Sequence, residues 1–493
     1  MPFGGGDAYR CIPYSLLYLE RVVRDLKVKV VLIDENIGQD YHTIINDLKD
    51  RILLVGVSAM LGYQIKGGID FSKFVRSVDK NIKIVWGGWH VTMVPDQSLI
   101  EPFIDYVIAG QGENPFRYLV TALLNEGPLE NIKGLYYKNE NNIKTGGGND
   151  FVSFTQFPDV DYSLIDINKY ILQGIPYAQR TVVYFASHGC PHSCSFCALT
   201  PVYQQKWFPK PVEKVVEDFI YLKKVANIDS ICFHDDNFFT NRTFSLALAQ
   251  AMIDNNIELK WEVWSHAGSF MKMFSEEDLD YFYKAGLRRI LCGAESGSNN
   301  VLTEINKKLS VEENLKFVKL LKKHKITPYF TTMICFPLDP DEDIRATFEM
   351  IRKAKLIDLS LKVHVGYYTP FPSTSFYEKA LEKGFVAPQK LEGWITHTFD
   401  QFRAPWFKEK YEEQYNIFLN FYVTLSNPFF FNNASRPFKE KFFLAIINLI
   451  VFPFAYLRLK LNFFAFPVGA KIFFYLVKLY NKKTGKNYMI YPN

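Results

Sequence analysis

Three thiols within eight residues are the densest chemistry in the chain: Cys190, Cys194 and Cys197, in Ser187-His188-Gly189-Cys190-Pro191-His192-Ser193-Cys194-Ser195-Phe196-Cys197. Spacings of four and three on one loop hold three corners of an iron–sulfur cube and leave one iron without a protein ligand. An open iron is where a substrate or cofactor binds metal. The alternative is structural zinc with His188 or His192 as fourth ligand, although zinc loops usually bring their ligands as two separated pairs. The chain has 7 Cys in all. An odd number with three clustered suits a metal site in a reducing compartment better than a disulfide framework. Met-Pro-Phe-Gly-Gly-Gly at the start is not a basic segment followed by an apolar one. No signal peptide is expected, and the reading is cytoplasmic.

The thiols must be positioned by a scaffold, and apolar runs mark it. Residues 181–186 (TVVYFA), 230–233, 260–264, 289–293, 329–334 and 362–367 read as strands. Amphipathic helices separate them, such as 212–225, with Val212, Val215, Val216, Phe219 and Leu222 in one stripe. Six β/α units predict an open, partial barrel rather than a closed one of eight. Chemistry in such barrels gathers at the C-terminal strand ends, where the cysteines, Asp235, Asp236 and Glu295 all fall.

Upstream, residues 28–34 (VKVVLID), 52–57, 82–86 and 106–109 are nearly continuous apolar runs, expected as strands buried on both faces. A helix between the second and third carries Ile65, Ile69, Phe74, Val75 and Val78 on one face. The pattern predicts a doubly wound parallel sheet, Rossmann-like. Ligands sit outside the carboxyl ends of such strands, where Gly permits close backbone approach. Ser58 and Gly62, then Gly87-Gly88-Trp89-His90, then Gly110-Gln111-Gly112-Glu113 follow three successive strands. A dinucleotide fold would show GxGxxG after its first strand, and none is present.

These motifs together resemble the radical S-adenosylmethionine enzymes with an N-terminal cobalamin-binding domain. CxxxCxxC with an aromatic residue before the last Cys is similar to the superfamily signature. Phe233-His234-Asp235-Asp236-Asn237-Phe238, Gly293-Ala294-Glu295-Ser296-Gly297-Ser298 and Tyr368-Thr369-Pro370-Phe371-Pro372-Ser373-Thr374 resemble later motifs in the same order. The resemblance spans roughly residues 15–395. It implies that Cys190, Cys194 and Cys197 ligate a [4Fe–4S] cluster whose fourth iron takes S-adenosylmethionine, cleaved to a 5′-deoxyadenosyl radical. It further implies that Asp235 or Asp236 accepts from the methionyl ammonium, that Glu295 and Ser296 contact the amino acid or ribose, and that a reductant such as ferredoxin or flavodoxin supplies electrons. Cobalamin is implied at Ser58, Gly62, Gly87, Gly88, Gly110, Gly112 and Glu113. Cobalamin domains that ligate cobalt through histidine carry DxHxxG, whereas here Asn36 takes the histidine place and Gln39 the last glycine's, so no protein histidine is expected on cobalt there.

The expected domains are 1–150 (cobalamin-binding, its first strand absent), a linker at 151–179, the barrel at 180–395 and a helical region at 396–493. A net charge of +5 over 493 residues excludes nucleic acid as a partner on average. From Arg436 onward, however, ten Lys or Arg stand against the single acid Glu440. With 44 Phe in the chain, many of them here, the tail reads as broken apolar pieces with basic flanks. Residues 442–457 are too short for a span and contain Pro453, which favours an in-plane contact on the inner face of a membrane. A helical cap on the barrel is the alternative. The function expected is methylation of an unactivated carbon in a hydrophobic or lipid-like substrate. Radical rearrangement or cyclisation without methyl transfer is the runner-up, and a non-catalytic metal-binding membrane scaffold the contrasting class.

Overall fold

The computed structural model describes residues 10–140, 142–148, 151–172, 175–427, 438–464 and 467–484. Two sheets organise it. In the first, β1 (Leu54–Ser58), β2 (Lys83–Gly87) and β3 (Tyr106–Ile108) run parallel, and β4 (Leu135–Asn139) and β5 (Asn142–Thr145) continue it as an antiparallel hairpin. Helix α1 (Tyr14–Arg21) precedes this sheet, α2 (Tyr63–Val78) crosses from β1 to β2, and α3 (Glu113–Asn125) follows β3. Ile65, Ile69 and Val75 of α2 pack on Ile84 and Trp86.

Residues 28–34 do not join the ladder, contrary to the sequence expectation. They run without strand pairing, and their side chains divide among three cores: Val28 and Val30 with Val22 and Val120, Leu32 with the barrel core, and Ile33 with the first sheet. None of the seven is fully buried. A run serving three separate cores cannot also keep the straight two-sided packing of a central strand.

The second sheet is the open barrel. Its six parallel strands are β6 (Thr181–Tyr184), β7 (Ser230–Phe233), β8 (Lys260–Ser265), β9 (Leu287–Glu295), β10 (Thr327–Ile334) and β11 (Lys362–Tyr367), adjacent in chain order from β6 to β11. Helices cover the outside, with Val215, Val216, Phe219 and Leu222 of α4 (Val212–Ala226) packed in one core with Val182, Ile231 and Phe233. Ile12, Tyr14, Leu17 and Tyr18 from α1 and the residues just before it share that core. On its other side α1 meets the first sheet's α3, through Arg21 on Glu113 at 2.9 Å. One short helix therefore ties the two sheets together.

Beyond β11, α5 (Phe438–Leu461) and α6 (Val468–Thr484) follow a π-wound turn at Asn416–Val423. Expected as broken pieces, residues 438–461 form one helix with Pro453 inside it. Ala455, Leu459, Ala470 and Phe474 pack with Phe418, Tyr422, Ile351 and Val365 against the barrel's last strands. Opposite, Leu449 (78% exposed), Phe454 (68%) and Leu461 (64%) face outward. Among the described residues no helix is long and apolar enough to cross a membrane. Part of the basic tail, Arg436 and Lys486 included, lies outside the described residues.

Candidate active site

The cysteine loop leaves β6, pairs briefly as Ser187–His188 with Phe208–Pro209, and then carries Cys190, Cys194 and Cys197 across the barrel mouth. Neighbouring strand ends hold it. Buried Asp235, beyond β7, accepts from the Ala186 amide at 3.1 Å and the Ser187 hydroxyl at 2.5 Å. Asp236 accepts from the Gly189 amide at 2.7 Å, one residue before Cys190. Burial pushes both carboxyls up to about 7. Both acids thus clasp the loop itself. Gly189 has φ +84°, and a Cβ there would lie 2.2 Å from the Lys206 carbonyl oxygen.

Glu295 ends β9 in the left-handed region, φ 57°, where the pairing with β10 shifts register. Its carboxylate folds back over Gly293, whose Cβ would stand 2.2 Å from Glu295 Oε1, and accepts from Lys307 Nζ at 2.7 Å. Ser296 donates to Asp343 Oδ1 at 2.6 Å and accepts from the Ser298 amide. It pins the loop after β9 to the helix Pro340–Ile357. Lys307 is a site residue that no motif announced. Its ammonium acts on the Cys194 thiol as well as on Glu295, and only the folded chain brings 194, 295 and 307 together.

The donor set fits a thiolate-ligated cluster and is a poor zinc site. Burial raises all three thiols, Cys190 to about 11, while Lys307 pulls each back toward the thiolate. Both nearby histidines are engaged elsewhere. His188 is hydrogen-bonded to the Tyr18 hydroxyl at 3.2 Å and stacks on Phe185. His192 shares a hydrogen bond with Ser269 Oγ at 3.1 Å and stacks on His266 at 4.2 Å. Among the described residues no three His, Cys, Asp or Glu side chains converge on a position for a single ion.

Ser58, Gly87, Gly88 and Gly110 share the carboxyl edge of β1, β2 and β3. Gly88, at φ +107°, is required there, because a Cβ would lie 2.3 Å from the Ala59 carbonyl oxygen. Gly110 donates its amide to Thr92 Oγ1 at 2.9 Å. Gly62 is covered instead: a Cβ would meet Thr398 Cγ2 at 2.4 Å, and Leu391, Trp394 and Ile395 pack into the same core as the first sheet. Gly112 and Glu113 turn toward α1, Gly112 beside Leu19 and Glu113 paired with Arg21. Asn36 donates its amide back to Asp34 Oδ1 at 3.0 Å. The glycine-cradled edge fits a large ligand held by backbone approach, with four of the seven expected residues on it.

The two edges meet. Leu61, Trp89 and Met93, from loops after β1 and β2, form one apolar cluster with Ala198, next to Cys197, and with Phe371 and Phe399. Ser373 donates to the Met93 carbonyl at 3.1 Å across the same seam.

Comparisons with known proteins agree with this arrangement. The radical SAM superfamily matches residues 184–351, and the B12 binding domain matches residues 7–120. An uncharacterized methyltransferase of Pyrococcus horikoshii is 28% identical over 389 residues, 78% of this chain and 82% of that protein. The anaerobic magnesium-protoporphyrin IX monomethyl ester cyclase of Synechocystis sp. is 26% identical over 316 residues, which are 64% of this chain and 61% of that protein. Among solved structures, the cobalamin-dependent S-adenosylmethionine radical enzyme OxsB, with aqua-cobalamin and S-adenosylmethionine bound, matches 99% of this chain and 75% of its own at TM-score 0.70 and 18% identity. The radical S-adenosylmethionine methyltransferase TsrM from Kitasatospora setae, with tryptophan and an S-adenosylmethionine analogue bound, matches 78% and 76% at TM-score 0.63 and 18% identity. At such identities the structures speak for the fold.

Proposed function

The chain belongs to the cobalamin-binding radical S-adenosylmethionine enzymes, and from that premise we propose that it methylates an unactivated carbon of a hydrophobic, lipid-like substrate. When bound, the [4Fe–4S] cluster, S-adenosylmethionine and cobalamin supply reductive cleavage of the sulfonium and a carried methyl group. Cys190, Cys194 and Cys197 hold the cluster. Asp235 and Asp236 fix the loop that presents them, Glu295 and Lys307 offer a charged pair to the amino-acid end of S-adenosylmethionine, and Ser296 sets the course of that strand end. Ser58, Gly87, Gly88 and Gly110 let backbone approach the corrin. A low-potential reductant of the ferredoxin or flavodoxin type supplies electrons.

The observation that carries this reading is the apolar seam of Leu61, Trp89, Met93 and Ala198, which joins the glycine-cradled edge to the cysteine loop. A methyl donor and a radical site need that proximity, and rearrangement alone does not. The likeness to the Synechocystis cyclase favours ring formation without methyl transfer as the second reading. Anaerobic reconstitution with the cofactors and lipid extracts, using S-adenosylmethionine labelled in its methyl group, tests both. Label in product together with 5′-deoxyadenosine supports methylation. Product without label supports the alternative, and Cys194→Ala is expected to lose the cluster absorbance and all cleavage.

We further propose a peripheral membrane contact through the outer face of α5 and α6. Leu449, Phe454, Leu457, Leu461, Val468 and Ile472 are exposed there, with Lys460, Lys471 and Lys478 among them. The inner faces of the same helices cap the barrel, so the two expectations for the tail apply to opposite faces. Full-length protein is expected to co-sediment with anionic liposomes and to be released by salt. No association at low ionic strength refutes this contact.

A further inference from the structure

Side chains on the barrel strands alternate between the helix side and the lumen. Trp261 and Val263, Ile290, Cys292 and Ala294, and Phe330 pack in the helix-side core. On β11, Val363 and Val365 do the same. Glu262, Arg289, Tyr329 and Lys362 therefore turn to the lumen. Register places Glu262 opposite Arg289, and Tyr329 opposite Lys362 one lumen-facing step further along, with the Arg289 guanidinium 5.5 Å from the Tyr329 ring linking the two rows.

The charges on this floor do not balance. Buried Glu262 accepts from Arg289 Nη2, from the Tyr177 hydroxyl and from Cys232 Sγ, so its two oxygens are spent and its charge is matched by Arg289. Lys362 is a second cation. Burial, with repulsion from Arg289 outweighing attraction to Glu262, pushes its ammonium down to about 7. Among the described residues no carboxylate stands within ion-pair distance and no acceptor takes its protons. Arg289 Nε is also buried without an acceptor, and one step up β11 so is His364 Nε2, with Asp400 at 3.7 Å. Lys362 still keeps part of its surface accessible. Lysines are seldom enclosed unpaired, because an uncompensated buried charge is costly, so an anion that reached Lys362 would be favoured there. In the register row of Lys362 the lumen side carries Trp264 and Leu291, which are apolar.

We propose that Lys362 binds the anionic head group, a carboxylate or phosphate, of an elongated apolar substrate lying along the barrel lumen. This rests on the methyl-transfer reading and names the class of molecule it acts on. From Lys362 to Tyr367, at the strand end, five residues rise about 17 Å. A head group on the floor thus leaves a carbon well along the chain at the barrel mouth, beside the cysteine loop. The ligand supplies the missing negative charge, and no residue of the cluster loop takes part.

The test uses the full-length protein without cofactors and titrates decanoate, decyl phosphate and neutral decanol, followed by calorimetry. The anionic amphiphiles are expected to bind at least tenfold more tightly than decanol, the tighter of the two identifying the head group. Lys362→Met is expected to remove that preference while leaving decanol binding and raising or preserving the melting temperature, because it deletes an unpaired cation. Lys362→Arg is expected to retain the preference. Equal binding of decanol and both anions overturns the proposal, and so does unchanged anion binding in Lys362→Met, which would put the site on the outer face of α5 and α6. A Lys362→Met protein that unfolds while Lys362→Arg is stable also overturns it, since it reveals an internal partner. Methyl transfer is read separately from labelled product, so either idea can fail alone.

Discussion

Asp236→Ala separates two roles for that carboxylate. It removes the acceptor of the Gly189 amide, a 2.7 Å hydrogen bond in a buried setting, one residue before the first cluster cysteine. An orphaned buried donor costs about 1–3 kcal/mol. If that cost falls wholly on the loop, the ligand-competent conformation becomes roughly 5- to 150-fold less populated. Iron and sulfide retained after anaerobic reconstitution and desalting should fall steeply, and S-adenosylmethionine cleavage with them. Asp236→Asn keeps an oxygen at the same place and should retain most of the cluster. A contact to the methionyl ammonium predicts a different pattern. In that case Asn and Ala both keep the cluster, and both weaken S-adenosylmethionine binding through loss of charge. Full iron content in Asp236→Ala refutes the loop-clasp argument.

Gly88→Ala introduces a Cβ 2.3 Å from the Ala59 carbonyl oxygen at φ +107°, so roughly 1–3 kcal/mol of strain is expected, seen as a lower melting temperature and loss of cobalamin uptake by absorbance titration. Glu262→Gln strands the buried Arg289 guanidinium and should cost about 3–5 kcal/mol in urea denaturation, whereas Glu262→Leu with Arg289→Met should cost less; additive losses would count against a buried pair. Burial raises Asp343 from 3.8 to about 7, so the stability it contributes as a neutral acid is complete below 3.8 and is lost as pH rises through 7, by roughly 4 kcal/mol at most. Asp343→Asn should therefore narrow the difference in melting temperature between pH 5 and pH 8, and an unchanged difference refutes that assignment.

The barrel was legible because each strand is a short apolar run, and the observed limits fall within two residues of the expected ones: 230–233 and 362–367 are unchanged, and 289–293 grows to Leu287–Glu295. The cysteine spacing is local, so it too was visible. The failures have one physical cause. Residues 28–34 have a buried strand's composition, yet a strand exists only where a neighbour offers its backbone, and that neighbour is not written in the run itself. The long helix at Phe438–Leu461 is the converse case. Pro453 forfeits one bond, to the carbonyl of Leu449, whose side chain lies on the exposed face, and packing of Ala455 and Leu459 on the barrel outweighs it.

Asp236 on Gly189 and Lys307 near Cys194 depend on separations of 47 and 113 residues, beyond the reach of periodicity. The lumen side of the strands is hidden from the sequence in the same way. In KWEVWS and KVHVGY the charged or titratable residues stand at a spacing of two among apolar ones, which resembles strands with one face in water, while LRRILCGAE carries Arg288 and Arg289 side by side. Here that face closes on itself. Glu262 and Arg289 are consequently taken out of bulk water together and pair, which leaves the partly accessible Lys362 as the group most available to an incoming anion.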